Sequence, residues 1–259
     1  MQMSLLKLEQ VTKRFGGLTA VSDFNLDLQE GELVGLIGPN GAGKTTVFNL
    51  ITNTYYVSEG RILLDGKDIT GMKTDRIAAA GIARTFQNIR LFGELTVLEN
   101  VLTACHLRLK SSVISAVFGL PGYRSEEVQM RGKARALLKT LGLDKYERDL
   151  AGSLPYGLQR KLEIARALAT QPRVLLLDEP AAGMNPEETL ALAALILRIR
   201  KDFQQTILLI EHDMSLVMTI CERIIVLDHG VTIAKGLPEE IQNNPDVITA
   251  YLGTGDLYA

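Results

Sequence analysis

Gly38-Pro39-Asn40-Gly41-Ala42-Gly43-Lys44-Thr45-Thr46 follows an apolar run, Leu33-Val34-Gly35-Leu36-Ile37, and a helical pattern opens at Lys44. A buried strand, a glycine-rich loop and a helix, in that order, are the setting that gives G-x-x-x-x-G-K-[ST] its meaning. Gly38, Gly41 and Gly43 permit backbone geometries that a Cβ would penalise. Successive N–H groups then curl into a concave anion nest at the helix N-terminus, where the dipole also favours negative charge. In that reading Lys44 reaches the β- and γ-phosphates of a nucleotide, and the Thr45 hydroxyl sits on Mg2+.

A second apolar run, Val174-Leu175-Leu176-Leu177, ends in Asp178-Glu179-Pro180. It describes a central parallel strand that terminates in charge, and ligands of α/β sheets bind beyond the carboxyl ends of such strands. Asp178 is placed to hold Mg2+ through its water shell, and Glu179 to orient and deprotonate a water. A third apolar run, Thr206 to Ile210, leads into Glu211-His212-Asp213. A lone histidine is more often structural, yet three strand ends here converge on one chemistry, and His212 is within reach of a γ-phosphate. Two further positions keep two readings open. Phe15, beside a glycine pair, is either a strand-end core residue or an aromatic that stacks on a base. Gln87, past a strand at Ile82–Phe86, is either an ordinary surface glutamine or a partner of a bound water or a metal's water shell.

Composition restricts the class. The chain has 259 residues, 46% hydrophobic and 22% charged, with a net charge of −2. These are ordinary values for a globular protein, and there is no global basic field to attract nucleic acid. No run approaches the roughly 18 apolar residues of a membrane span, and MQMSLLKLEQ lacks the pattern of a signal peptide. Cys105 and Cys221 make no motif spacing and read as buried thiols in a reducing compartment. If the chain serves a membrane, it must bind something already embedded there.

Residues 5–11 and 24–28 alternate as half-buried antiparallel strands, with a loop expected between them. A strand with a turn follows at Arg61–Gly66, then a short helix at Arg76–Ala80 ending at Gly81. The region from Thr96 to about Leu150 reads as helical. Thr96 and Glu99 form a capping box, residues 111–124 are irregular because Gly119, Pro121 and Gly122 break any helix, and a long helix runs from Ser125 through Leu141. In LPYGLQRKLEIARAL, Gly157 precedes a helix whose Leu158, Leu162, Ala165 and Leu168 share one face, while Arg160 and Lys161 face elsewhere. Further helices are expected at Pro186–Lys201, Pro238–Asn243 and Pro245–Leu252, with a hairpin around Asp228-His229-Gly230. The fold class is α/β: a phosphate-loop NTPase with a central, mainly parallel sheet, an antiparallel β subdomain toward the N-terminus and an inserted helical subdomain. Its nucleotide-binding core is expected over about 1–90 and 170–259, and the helical subdomain over about 91–169.

GPNGAGKTT, Gln87, the YGLQ helix start, LLLLDEP and His212 come in the order and rough spacing of an ABC-transporter ATPase cassette, and the resemblance spans essentially the whole chain. KRFGGLTAV, ARTFQNIRLFGELTVLENV, DEPAAGMNPEET, LLIEHDMSLVM and NNPDVITAYLG make it most similar to the ATP-binding subunits of branched-chain amino-acid importers. The irregular insertion at 107–130 resembles the larger of the two ATPase types such importers use.

The resemblance implies ATP and Mg2+ as cofactors, bound through Gly38, Pro39, Asn40, Gly41, Ala42, Gly43, Lys44, Thr45 and Thr46. It implies adenine stacking by Phe15, metal contacts by Thr45, Gln87 and Asp178, catalysis by Glu179 as base and His212 as γ-phosphate switch, and a link from Gln87 to a membrane subunit. Two cassettes form a head-to-tail sandwich in this family. The signature turn Pro155-Tyr156-Gly157-Leu158-Gln159 and the loop Gly183-Met184-Asn185 then face the partner's ATP. The usual signature begins Ser-Gly-Gly-Gln, and the usual loop ends in aspartate, so this chain departs from the pattern on the trans side only. Ile89, Leu91 and Phe92 are expected to receive a helix of a permease. The implied assembly is a second cassette of a different chain, integral permeases and an extracytoplasmic solute-binding receptor, with this chain on the cytoplasmic face of the membrane and no nucleic-acid partner. Urea or amide importers and a lipopolysaccharide exporter use similar cassettes. A soluble ATPase acting on nucleic acid or ribosomes is the contrasting class, disfavoured by the short interval from Gln87 to Leu154 and by the single cassette.

Overall fold

The computed structural model describes residues 4–108 and 121–252. The described chain separates into two compact units, Met1–Arg84 with Arg173–Ala259, and Thr85–Pro172.

The first unit contains two sheets. β1 (Leu6–Phe15), β2 (Leu18–Leu28), β4 (Glu59–Leu64) and β5 (Lys67–Asp68) form an antiparallel sheet in the order β2-β1-β4-β5. β3 (Leu33–Ile37), β6 (Ile82–Arg84), β7 (Val174–Asp178), β8 (Thr206–Ile210), β9 (Arg223–Asp228) and β10 (Val231–Gly236) form the second, in the order β10-β9-β3-β8-β7-β6. All pairs of the second sheet are parallel except β9 with β10. β3, β7 and β8 are buried at every position, as expected of parallel strands covered on both faces. Helix α1 (Lys44–Ile51) adds Val47, Phe48, Leu50 and Ile51 to the core that contains Val34 and Leu36 of β3. Each such side chain contributes about 1.5–3 kcal/mol by leaving water. α2 (Thr74–Ala80), α6 (Pro186–Asp202), α7 (Met214–Ile220), α8 (Pro238–Gln242) and α9 (Pro245–Leu252) complete this unit.

The second unit is helical: α3 (Val97–Cys105), α4 (Pro121–Thr140) and α5 (Tyr156–Ala169), with α3 packed on both others. Thr96 caps α3, accepting from the Glu99 N–H at 3.2 Å while Glu99 Oε2 accepts from the Thr96 N–H at 2.8 Å. The buried Asn100 closes the preceding loop. Its Nδ2 donates to the carbonyls of Phe92 and Thr96, both at 3.0 Å, and its Oδ1 accepts from the Phe92 N–H.

Several elements differ from the sequence reading. No loop separates the first two strands beyond Gly16-Gly17: β1 and β2 pair as far as Phe15 and Leu18, because a two-residue glycine turn suffices for a hairpin. β6 stops at Arg84, two residues short of Phe86. The long helix of the second unit begins at Pro121 rather than Ser125, since proline is well tolerated in a first helical turn. Residues 111–120 of the expected irregular stretch lie outside the described residues. The signature helix starts at Tyr156, so Gly157 falls inside its first turn. Arg160, read as facing away from the apolar side, is fully buried. The hairpin at His229-Gly230, the Gly81 helix end and the Thr206–Ile210 strand stand as read.

Candidate active site

The phosphate loop connects β3 to α1 and is hemmed in by backbone on two sides. A Cβ at Gly38, whose φ is +147°, would lie 2.0 Å from the Leu227 carbonyl oxygen of β9. One at Gly43, φ +104°, would lie 2.6 Å from the Ala20 oxygen of β2. Only glycine fits both positions. The β9–β10 turn buttresses the loop as well, since the Gly230 N–H donates to the Ala42 carbonyl at 2.9 Å. Gly43 occupies the N-cap of α1 in the left-handed region and brings no side chain to its amides. The first-turn N–H groups of an eight-residue helix thus point toward the loop's concave side.

Lys44 is buried, and its Nζ donates to the Gly38 carbonyl at 2.7 Å and the Pro39 carbonyl at 2.9 Å. Burial lowers its pKa, and the nearby Glu179 and Asp178 carboxylates oppose that shift. The ammonium is therefore aligned along the loop and electrostatically joined to the end of β7. Thr45 and Asn40 are exposed, Thr46 half-buried, and Pro39 and Ala42 buried.

At the end of β7, Asp178 forms a buried ion pair with Arg84 of the adjacent strand, Nη2 to Oδ2 at 2.7 Å. The other guanidinium nitrogen, Nη1, donates to Asn49 Oδ1 of α1 at 2.7 Å, and the group lies 5.4 Å from the Phe48 ring centre. Neither Arg84 nor Asn49 was singled out from the sequence. Asp178 and Thr45 are hard oxygen donors suited to Mg2+. Among the described residues no three His, Cys, Asp or Glu cluster as a metal cage.

Glu179 stands in the left-handed region, φ +47°, with its N–H donating to the Ile210 carbonyl of β8 at 2.9 Å. Non-glycine residues rarely adopt that conformation, and it concentrates at functional sites. Its Oε1 lies 2.8 Å from His212 Nε2, with the carboxylate 11% and the imidazole 41% exposed. A carboxylate held by a ring nitrogen at the mouth of a phosphate loop can accept a proton from water. Glu211, passed over in the sequence, ties the His212 backbone to the turn that follows Glu179. It is buried, its Oε1 accepts from the Ala181 N–H at 2.6 Å, and its Oε2 accepts from the His212 N–H at 3.1 Å. Burial raises its pKa, and the bonds from Ala181, His212 and Asp213 oppose the rise. A carboxylate directly after an apolar strand was the available signal for it.

Phe15 is 41% exposed and so does not belong to the core; its ring packs edge-on against Tyr55 at 5.1 Å, with Lys13 Nζ 4.8 Å above it. Asn185 is committed to structure. It caps α6, its Oδ1 accepting from the Glu188 N–H and its N–H donating to Glu188 Oε2, both at 3.0 Å. Gly183 and Met184 form the turn before it.

Gln87, Ile89, Leu91, Phe92 and Pro155–Gln159 all lie in the second unit. Gln87 is exposed, Ile89 and Leu91 are half-buried, and Phe92 is 51% exposed beneath the Arg166 guanidinium at 4.8 Å. Pro155 caps α5 through its carbonyl alone, accepting from the Leu158 and Gln159 N–H groups at 2.9 and 3.0 Å. Gln159 Nε2 donates to the Leu154 carbonyl, and Tyr156 and Gly157 open the helix.

The chain matches known proteins in sequence and in fold. Residues 21–182 match the family model described as ABC transporter, and residues 231–256 match that of branched-chain amino acid ATP-binding cassette transporters. The chain is 49% identical over 253 residues to the high-affinity branched-chain amino acid transport ATP-binding protein BraF of Pseudomonas aeruginosa, covering 98% of this chain and 99% of that one. It is equally similar, with the same coverage, to the corresponding protein LivG of Escherichia coli. Among solved structures, the ADP conformation of MJ1267, an ATP-binding cassette of an ABC transporter, superposes with a TM-score of 0.84 at 32% identity, over 97% of this chain and 99% of that one. Among the described residues no helix is long and apolar enough to cross a membrane.

Proposed function

The chain belongs to the ABC transporter family of ATP-binding cassettes, and from that premise we propose that it is the ATP-hydrolysing subunit of a membrane importer for branched-chain amino acids. The observation that carries the substrate class is the 49% identity to BraF and LivG over nearly the full length of each chain.

In the proposed mechanism the adenine stacks on Phe15, while Gly38–Gly43 amides, Lys44 and Thr46 bind the phosphates. Thr45 and Asp178 would hold Mg2+, which would supply neutralisation of the charge on the β- and γ-phosphates. Lys44 moves its donors from the Gly38 and Pro39 carbonyls to phosphate oxygens. Glu179 takes a proton from the attacking water as the water oxygen bonds to the γ-phosphorus and the bond from that phosphorus to the β–γ bridging oxygen breaks, releasing ADP and phosphate, and His212 orients the carboxylate and contacts the γ-phosphate. Gln87 would supply an amide to the water shell of that ion.

The proposed assembly pairs this chain with a second cassette, whose ATP meets Pro155–Gln159 and Gly183–Asn185, and with permeases received near Ile89, Leu91 and Phe92. A solute-binding receptor delivers substrate from the outer side, and this chain works at the cytoplasmic face. Reconstitution of the chain with its genomic neighbours in vesicles tests the reading. ATP-driven uptake of leucine, isoleucine and valine is expected. Uptake of urea or short amides without leucine would overturn the substrate class.

A further inference from the structure

Arg160 is the largest fully buried side chain among the described residues. Burying a guanidinium costs several kcal/mol unless its donors are met; here both terminal nitrogens are met, by two separate elements, while Nε has no hydrogen-bond partner. Nη1 donates to the Phe86 carbonyl at 2.6 Å and to Glu163 Oε2 at 2.8 Å. Nη2 donates to the Gln87 carbonyl at 2.8 Å and to the Tyr156 hydroxyl at 3.1 Å. Glu163 Oε1 in turn accepts from the Phe86 N–H at 3.2 Å. Two turns along, Arg166 donates to the Arg90 carbonyl. Arg160, Glu163 and Arg166, three residues apart, thus grip residues 86–90 along one stripe of α5.

We propose that Arg160 is a positioning residue that locks the backbone of the Gln87 segment to the first turn of α5, so that a displacement of Gln87 is carried to the signature turn at Pro155–Gln159. The physical reason is rigidity. Two consecutive carbonyls bound by one planar fork fix the orientation of the Gln87 peptide, and the same fork holds Tyr156, the second residue of the signature. A leucine or methionine would fill the space without a desolvation cost, but it would leave both carbonyls and Glu163 without this partner. The inference rests on the proposed roles of Gln87 and of the signature turn.

The test uses the full chain with ATP and Mg2+, following amide hydrogen exchange over residues 86–92 and 156–160. In the parent both segments are expected to gain protection together when nucleotide is added. In Arg160→Met, ATP affinity should stay near that of the parent, the change at 86–92 should persist, and the change at 156–160 should shrink by about 5–150-fold in opening equilibrium, the usual range for coupled sites. Arg160→Lys, which cannot bridge both carbonyls, should fall between. A parent in which nucleotide moves neither segment, or an Arg160→Met variant in which both still move together, overturns the proposal. If Arg160→Met does not fold, Arg160→Lys decides by the same criterion. Gln87→Ala separates the two ideas: an unchanged response at 86–92 in that variant removes the sensing role of Gln87, while joint movement of the segments still tests the lock.

Discussion

Arg84 and Asp178 sit on adjacent parallel strands, β6 and β7, and their side chains meet at 2.7 Å with both groups buried. The pair joins the strand that precedes the Gln87 segment to the proposed metal-side carboxylate. Breaking a buried pair on one side is expected to cost about 3–5 kcal/mol, because an uncompensated charge remains. Arg84→Ala should therefore unfold at clearly lower denaturant concentration than the parent. The double variant Arg84→Met with Asp178→Leu should recover most of that stability, as apolar replacement of a buried pair often does, and it should have no ATPase activity. A single variant as stable as the parent would show that the pair does not hold the strand ends.

Glu179→Gln keeps the shape of the side chain and removes its basicity. ATP binding should persist while turnover falls by about 10²–10⁴-fold, the usual worth of general-base assistance. Steady-state phosphate release near the parent rate would remove Glu179 from the role of base.

What could be read from the sequence was what is contiguous. Leu33–Thr46 and Val174–Glu179 each carry a strand and the chemistry at its end within fourteen residues or fewer, so local pattern sufficed. The Arg84–Asp178 pair spans 94 positions and the Arg160–Phe86 bond 74, and no local period reports such a partner. Arg160 was misread for a physical reason: helical periodicity sorts residues by polarity, whereas a buried guanidinium is tolerated when carbonyls from elsewhere meet it. Phe15 ended outside the core because the glycine pair after it closes a hairpin whose tip is exposed.

Lys44 links nucleotide binding to pH. Burial lowers its pKa below the ordinary 10.5, so the neutral form gains population in the window between that lowered value and 10.5. Phosphate favours the charged form and raises the pKa again. ATP binding in that alkaline window should therefore take up protons, and affinity should fall as pH rises through it. Calorimetry in buffers of different ionisation heat measures the proton number. A value of zero in the parent, or an unchanged positive value in Lys44→Arg, would contradict the assignment.

Phe15 is exposed enough for its loss to leave the fold intact. Stacking on a base is worth roughly 1–3 kcal/mol by alanine substitution, so Phe15→Ala should weaken ATP binding by about five- to 150-fold at an almost unchanged melting temperature. Tyr55, edge-on to Phe15 at 5.1 Å, should show a smaller effect in the same direction. A large fall in melting temperature with unchanged affinity would return Phe15 to a packing role.

Pro155 bears on whether the working unit contains two different cassettes. A serine there would offer a hydroxyl to the γ-phosphate of the partner's ATP, whereas proline has neither hydroxyl nor N–H. Its carbonyl is already committed to the first turn of α5 through Leu158 and Gln159. On the other trans element, the Asn185 side chain is bound in the α6 cap. Both trans elements therefore lack donors or charges that the family pattern supplies, while the proposed cis residues Lys44, Asp178, Glu179 and His212 are present. Hydrogen bonds to charged groups contribute about 1.5–3 kcal/mol, so a homodimer would lose about ten- to hundredfold in rate at both sites. Paired with a cassette that keeps the serine, one complete site remains, built from the cis residues of this chain. The chain alone should hydrolyse ATP slowly, its mixture with the sibling cassette much faster, and Pro155→Ser should raise the activity of the chain alone. If the chain alone already matches the mixture, and Pro155→Ser changes nothing, neighbouring backbone amides such as that of Gly157 suffice and the two cassettes need not differ.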